Sequence, residues 1–243
     1  MADLINFVVA GAQKSGTTAL RFFLSQHPEI GLVRGGGETH FFNRHVDAAQ
    51  RSDYTEYHAM YTDQALAACT GDVTPYYLYG EPCIPSIQRY NPDMKIIVLL
   101  RNPILRAYSQ WIMEREMGRE TRSFMVALLH EARYFSTHGQ HPVFSYVQRG
   151  FYDAQIARLY KHFPRENCFI LRTSDLWQNH STVMSQIFKF LGVSDQLHIQ
   201  RQRKHTRNYS PMPDVSRRLL YCVFCNDIAR LENRLQWDLS SWR

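Results

Sequence analysis

The sequence predicts an α/β fold of three layers, a central, mostly parallel β-sheet flanked by helices on both faces. Three observations carry that expectation. Continuous apolar runs such as "KIIVLL" (Lys95 to Leu100) are what strands buried on both faces require. Helical periodicity, rather than another strand, follows such runs, and strands alternating with helices build parallel sheets. At 243 residues, 44% of them hydrophobic, the chain is long enough for one well-buried core and short for two. A single domain over residues 1–243 is expected.

The elements follow in order. Phe7 to Ala10 is a β-branched and aromatic run that enters a glycine-rich turn, after which Leu20, Phe23 and Leu24 recur at helical spacing until Pro28. "KIIVLL" opens a second strand-and-helix unit. Behind Pro103, suited to a first helical turn, Ile104, Leu105, Tyr108, Trp111 and Ile112 form one stripe. Between these units the run "LAACTG" before Asp72 reads as a poor strand. Tyr152 to Phe163 repeats the helical period through Ile156, Leu159, Tyr160 and Phe163, and "CFILR" (Cys168 to Arg172) is a short strand after the break at Pro164. Val183, Ile187, Phe190 and Leu191 mark a helix that Gly192 stops. From Gly192 to Pro213 the chain is polar and basic without periodicity, a long loop of the kind that is functional or disordered. A last helix runs from about Asp214 to Leu235, ahead of Trp237 and Trp242.

Composition bounds the partners. The formal net charge of +6 favours an anionic ligand. The basic residues are spread along the chain, with one modest cluster at Arg201 to Arg207, and no nucleic-acid-binding signature accompanies them, so no nucleic acid is expected. The apolar run Leu4 to Ala12 is interrupted by Asn6 and too short for a signal peptide or a membrane span, and no other run approaches the roughly 20 apolar residues a spanning helix needs. No membrane partner is expected, and the chain is placed in the cytoplasm or read as a soluble domain of a larger protein. Of the five cysteines only Cys222 and Cys225 are closely spaced, and a zinc site would need a second pair. With Leu219, Leu220, Val223 and Leu231 around them at helical spacing, they are expected in a core helix.

The stretch "VVAGAQKSGTTAL" (Val8 to Leu20) carries the chemistry. Against the triphosphate-binding pattern G-x-x-x-x-G-K-[ST], Gly11, Gly16 and Thr18 fall in register, but Thr17 replaces the lysine, which sits three residues earlier as Lys14. A glycine-rich turn between a buried strand and a helix presents N–H groups to an anion, and the helix dipole assists. Lys14, Ser15, Gly16, Thr17 and Thr18 would surround one tetrahedral group. A kinase of this P-loop-type fold also needs an aspartate at a strand end to hold Mg²⁺. The best strand, "IIVLL", ends in Arg101 instead, which repels a divalent cation and attracts a phosphate; Asp72 in "TGDVTP" is the only other candidate metal ligand of this kind, behind the poor strand "LAACTG". The residues therefore point to a nucleotide with two anionic ends, bound without a metal. A kinase-like nucleotide enzyme and a non-catalytic nucleotide binder are the alternatives.

At these residues the sequence resembles the sulfotransferases that use 3′-phosphoadenosine 5′-phosphosulfate (PAPS) and release the 3′,5′-bisphosphate PAP. It is most similar to the branch of the heparan-sulfate enzymes and their bacterial relatives. "GAQKSGTT" matches that family's phosphosulfate loop. The resemblance implies that Lys14 contacts the bridging oxygen and sulfonate, and that the amides of Ser15 to Thr17 with the Thr17 and Thr18 hydroxyls hold the 5′-phosphate. It assigns the 3′-phosphate to Arg101 and Ser109 in "LLRNPILRAYS". It places Tyr152 of "RGFYDAQ" near the adenine, and in "KHTRNYSPM" Arg207 at the 3′-phosphate and Tyr209 at the purine. That last segment lacks the glycines of the cytosolic members' closing loop.

Sulfuryl transfer needs an in-line nucleophile, stabilisation of the leaving oxygen and a base for the acceptor proton. "GGGETHFF" supplies Glu38 and His40, and the resemblance makes Glu38 the base and His40 an auxiliary base or an orienter of Glu38. Where the heparan-sulfate branch has a lysine before "TP", this chain has Val73, which removes a cation from the acceptor side. A small hydroxylated metabolite, as in secondary metabolism, is therefore the preferred acceptor, with a saccharide second and an amine third.

Overall fold

A computed structural model describes residues 4–44, 53–61, 68–196, 199–201 and 210–243. They fall into two compact units, one comprising Met1–Leu100 with Arg158–His205 and the other Arg101–Ala157 with Thr206–Arg243.

The first unit is built on a five-stranded sheet in the order β2-β3-β1-β4-β5. The strands are β1 (Phe7–Gly11), β2 (Ile30–Leu32), β3 (Cys69–Val73), β4 (Lys95–Leu100) and β5 (Cys168–Arg172), and every pairing is parallel. The register sets Phe7 opposite Gly71 on one side and Lys95 on the other. The chain leaves β1 for β2 on one side, with β3 inserted between them, and then continues through β4 and β5 on the other side, so β1 lies where the winding reverses. Ligands of open α/β sheets bind beyond the strand ends at such a point.

The helices of this unit are α1 (Thr17–Leu24), α2 (Phe41–Arg44), α3 (Thr55–Ala59), α4 (Cys83–Tyr90), α8 (Thr173–Gln178) and α9 (His180–Leu191). Strand alternation divides the core between the two sheet faces. Phe7, Val9, Ile97, Leu99 and Leu171 pack with Leu20, Phe23 and Leu24 of α1, Leu176 of α8 and Ile187 and Phe188 of α9. The intervening residues Val8, Ala10, Ile96, Val98 and Leu100 point the other way and are equally buried, as are Tyr77, Leu78, Ile84 and Ile87 in and before α4. The burial of β1 throughout and of β4 from Ile96 onward is thus that of a sheet covered on both faces, while the edge strand β5 is only partly covered. Gly192 ends α9 in the left-handed conformation, at φ 83°.

β3 corrects the sequence reading of "LAACTG" as a poor strand. Its sequence, Cys-Thr-Gly-Asp-Val, scores low because it contains a glycine and an aspartate, and the structure requires both. A Cβ on Gly71 would lie 2.1 Å from the Phe7 ring, so only glycine lets β3 pair beside that side chain. Asp72 faces the opposite side of the sheet from Gly71 and is fully buried.

The second unit holds α5 (Pro103–Glu116), α6 (Phe124–His138), α7 (Tyr152–His162) up to Ala157, and α10 (Asp214–Leu235). The Asn102 side chain caps α5 by accepting from the amides of Ile104 and Leu105, with Pro103 in the first turn. Arg106 is wholly buried and donates to Gln110 at 2.8 Å and to the Tyr146 carbonyl. Glu131 of α6 accepts from the amides of Val147 and Gln148, and burial pushes its carboxyl up to about 7. α10 buries Ser216, Leu220, Phe224, Asp227, Ile228 and Leu231 at helical spacing. Leu219 and Val223 lie outside that stripe and are exposed, as is Cys222, while Cys225 is partly covered. The two cysteines therefore sit beside the core face, not in it.

Candidate active site

The glycine-rich turn joins β1 to α1 as the residue pattern requires. Gly16 precedes α1 with φ 96°, a conformation that L side chains rarely adopt, and a Cβ there would also meet the Thr173 methyl at 3.3 Å. No side chain among the described residues caps α1, so its first amides are left to whatever the loop holds. The Ala12 amide donates to the Leu99 carbonyl at 2.8 Å, tying the loop to β4. From the start of α8, the Thr173 hydroxyl lies 2.6 Å from the Ser15 carbonyl and 3.1 Å from that of Leu100. Ser15 is fully buried, and its own hydroxyl finds no partner among the described residues. Thr17 is buried, Thr18 exposed and Lys14 half-buried with φ 68°. A buried hydroxyl without a partner beside an uncapped helix start suits an anion with several acceptor oxygens.

Glu38 and His40 meet in the same unit. The His40 Nε2 lies 3.1 Å from Glu38 Oε2, and its Nδ1 lies 3.2 Å from Asn43 Oδ1. The hydrogen bond to Glu38 is the main reason that the His40 ring holds its proton to higher pH than an ordinary histidine. Both side chains are partly open to solvent.

Thr39, between them, points inward. Its hydroxyl reaches Asp72 Oδ2 at 2.6 Å, and its amide donates to Thr74 Oγ1 at 3.1 Å. Among the described residues Asp72 also accepts from Tyr77 at 2.9 Å, Tyr57 at 3.1 Å and Thr74 at 2.7 Å. Burial raises the Asp72 carboxyl while these four hydroxyls work against the rise. Three of them converge on Oδ2 and Thr74 reaches Oδ1, so the buried Asp72 carboxylate, near the end of a strand beside β1, is committed to hydroxyl donors.

Arg21 of α1 braces the same region. It donates to the Gly36 carbonyl and, at 2.5 Å, to that of Val73. The Val73 side chain is buried in the core face, so the position that carries a lysine in the heparan-sulfate branch presents no cation here. Arg21, Thr39 and Thr173 were not singled out by the sequence pattern, and Asp72 only as a candidate metal ligand behind a poor strand. Their signal is weak, because each is an ordinary residue type with a partner far along the chain, 33 positions for Thr39 and Asp72, 52 for Arg21 and Val73, and 158 for Thr173 and Ser15.

In the second unit Arg101 is half-buried just ahead of α5, and Ser109 is buried on that helix two turns later. Tyr152, the first residue of α7, is fully buried with its ring 6.2 Å from that of Trp242. Arg207 and Tyr209 lie outside the described residues. Among the described residues no cluster of three or more His, Cys, Asp or Glu side chains could hold a metal ion, and no helix is long and apolar enough to cross a membrane.

Comparison with known proteins places this architecture. The crystal structure of a sulfotransferase from Alicyclobacillus acidocaldarius superposes with a TM-score of 0.86, at 28% identity and over 100% of both chains. A mouse sulfotransferase, SULT7A1, solved with PAP shares the fold at a TM-score of 0.51, with 16% identity over 79% of this chain and 59% of that one. By sequence the chain is 26% identical to mouse heparan sulfate glucosamine 3-O-sulfotransferase 6 over 76% of its length and 52% of the relative's. It is 33% identical to the membrane-associated sulfotransferase kil1 of Dictyostelium discoideum over 44% of this chain and 22% of that protein. The chain thus spans about half the length, or less, of these curated relatives. The sequence profile of the sulfotransferase domain matches residues 4–212, most of the chain, which belongs to the PAPS-dependent sulfotransferase family.

Proposed function

We propose that the chain transfers the sulfuryl group of PAPS to a hydroxyl of a small-molecule or saccharide acceptor by in-line displacement. The observation that carries this reading is the loop at the end of β1. Within five residues it combines the positive φ of Gly16, Lys14, and a helix start and a buried Ser15 hydroxyl that have no side-chain partner among the described residues. These groups fit the 5′-phosphosulfate of the donor, which supplies the sulfuryl group. Lys14 stabilises the charge that develops on the leaving oxygen, and the amides and hydroxyls of Ser15 to Thr18 orient the phosphate. Glu38 removes the acceptor proton, and His40, holding its own proton through Glu38, orients that carboxylate. By the family resemblance, Arg101, Ser109, Tyr152, Arg207 and Tyr209 bind the 3′-phosphoadenosine end.

No metal enters the proposal, because lysine supplies the charge and the buried Asp72 carboxylate is committed to hydroxyl donors. The buried Val73 supports an acceptor less anionic than heparan sulfate, the substrate that the name of the mouse relative specifies. We place the reaction in the cytoplasm, where the five free cysteine thiols suit a reducing compartment.

The test is thermal unfolding with PAP in EDTA and with ATP plus Mg²⁺, followed by PAPS turnover on a panel of phenols, aliphatic alcohols, saccharides and amines. Stabilisation by PAP alone and sulfation of a panel hydroxyl are expected. Stabilisation by ATP and Mg²⁺ without any by PAP would make the protein a kinase-like enzyme instead, and PAP binding without turnover would make it a binder.

A further inference from the structure

The buried carboxylate of Asp72 is absent from the chemistry above, yet four hydroxyls from three stretches of chain converge on it. Burying a carboxylate is costly, and full hydrogen bonding offsets the cost only when every donor is in place. The donors are Thr39 of the Glu38–His40 segment, Tyr57 of α3, and Thr74 and Tyr77 of the turn after β3. Thr39 is the most constrained of them. Its hydroxyl reaches Asp72, its amide reaches Thr74, and its oxygen also receives the Phe41 amide at 3.3 Å. The next residue, His40, has φ 52°, a left-handed conformation that a non-glycine residue keeps only where its surroundings enforce it. With Thr39 locked inward, its two neighbours must project outward on the same side, and their side chains meet at 3.1 Å.

We propose that Asp72 is a positioning residue of the transfer reaction: through the Thr39 hydroxyl it fixes the backbone on which Glu38 and His40 face each other. The inference rests on the reading of Glu38 as base. The charged and titratable groups around Asp72 are Tyr57, Tyr61, Tyr77 and Arg21, and those around His40 are Glu38 and Arg44, with Asn43 and the Tyr76 ring also against it. Asp72 Oδ2 at 2.6 Å and the Tyr77 hydroxyl at 2.7 Å lie within hydrogen-bond distance of the Thr39 hydroxyl, and Tyr77 itself donates to Asp72, so both routes end on the Asp72 carboxylate.

The experiment uses Thr39→Val in the full chain, which keeps the side-chain volume and removes the hydroxyl. The His40 ring is titrated by NMR, its signal assigned with His40→Gln, and PAP affinity is measured by calorimetry. Turnover is measured with the panel acceptor that the wild-type protein sulfates fastest. In Thr39→Val the His40 midpoint should fall toward the ordinary value of about 6.5. Turnover should drop about tenfold or more, while the PAP dissociation constant stays within about twofold; these limits are set by the cost of losing a hydrogen bond to a charged group. Thr39→Ser should restore both readouts. Tyr57→Phe, which removes a donor outside the Glu38–His40 segment, should lower the melting temperature and leave the His40 midpoint in place. An unchanged midpoint in Thr39→Val, an equal shift in Tyr57→Phe, or a Thr39→Val chain that does not fold would each overturn the proposal in favour of a purely structural Asp72. The titration needs no turnover, so full activity in Glu38→Gln would remove the base assignment and leave the positioning to be judged on the midpoint alone.

Discussion

The Thr173 hydroxyl lies 2.6 Å from the Ser15 carbonyl, so a residue 158 positions downstream holds the glycine-rich loop in place. Replacing it with valine removes this hydrogen bond and keeps the methyl group that stands against Gly16. A hydrogen bond of this kind contributes about 1 kcal/mol. Thr173→Val is therefore expected to weaken PAP binding about fivefold by calorimetry, and an unchanged affinity would show that the loop holds its shape without α8.

Lys14→Ala and Glu38→Gln separate charge stabilisation from proton removal. The lysine variant should lose about a hundredfold or more in turnover, the loss seen when one preorganised transition-state donor is removed. The glutamine variant should lose roughly a hundred- to ten-thousandfold in kcat with PAP affinity unchanged, as for a general base. Single-turnover measurements with pre-bound PAPS make the comparison. A Glu38→Gln enzyme of wild-type rate would transfer the base role to His40.

Gly71→Ala tests the packing that places Asp72. The added Cβ would stand 2.1 Å from the Phe7 ring in the centre of the sheet, where neither strand can yield. Overpacking costs about 1–3 kcal/mol and occasionally more. Thermal or urea unfolding should show at least that loss, and a variant as stable as wild type would mean that β1 and β3 pair less closely.

Glu131 gives a pH dependence of definite sign. Burial pushes its carboxyl up to about 7, above the value of about 4.3 for an unfolded chain, so the folded protein binds this proton more tightly. The contribution is fully present below the unfolded value and is lost as pH rises through about 7. Relative to Glu131→Gln, which cannot titrate, the wild-type protein should lose on the order of 3 kcal/mol between pH 4.5 and pH 7.5. Paired urea titrations at the two pH values measure it, and a difference that does not vary with pH would contradict the assignment.

The architecture was legible where local physics is strong. "KIIVLL" and "CFILR" are strands over the expected residues, and the last helix runs from Asp214 to Leu235 as its pattern predicts. β3 escaped because its strand character comes from its neighbours: Gly71 is there for the Phe7 ring and Asp72 for hydroxyls on other segments. Leu219 and Val223 misled for a similar reason, since apolar residues at helical spacing show that a stripe exists but not which stripe meets the core.

The sequence by itself determined the alternation of strands and helices, the phosphate-type loop with Lys14, and the short motif that puts Glu38 two residues before His40. These depend on residues close together in the chain, where spacing and chemistry suffice. The tertiary structure alone decided that Thr39 turns inward, that Asp72 collects four hydroxyls, and that Thr173 and Arg21 brace the loop and the Glu38 segment. The contacts of Asp72 with Thr39, of Arg21 with Val73 and of Thr173 with Ser15 each close a loop of chain, and a hydrogen bond across such a distance exists only after the sheet has brought its partners together.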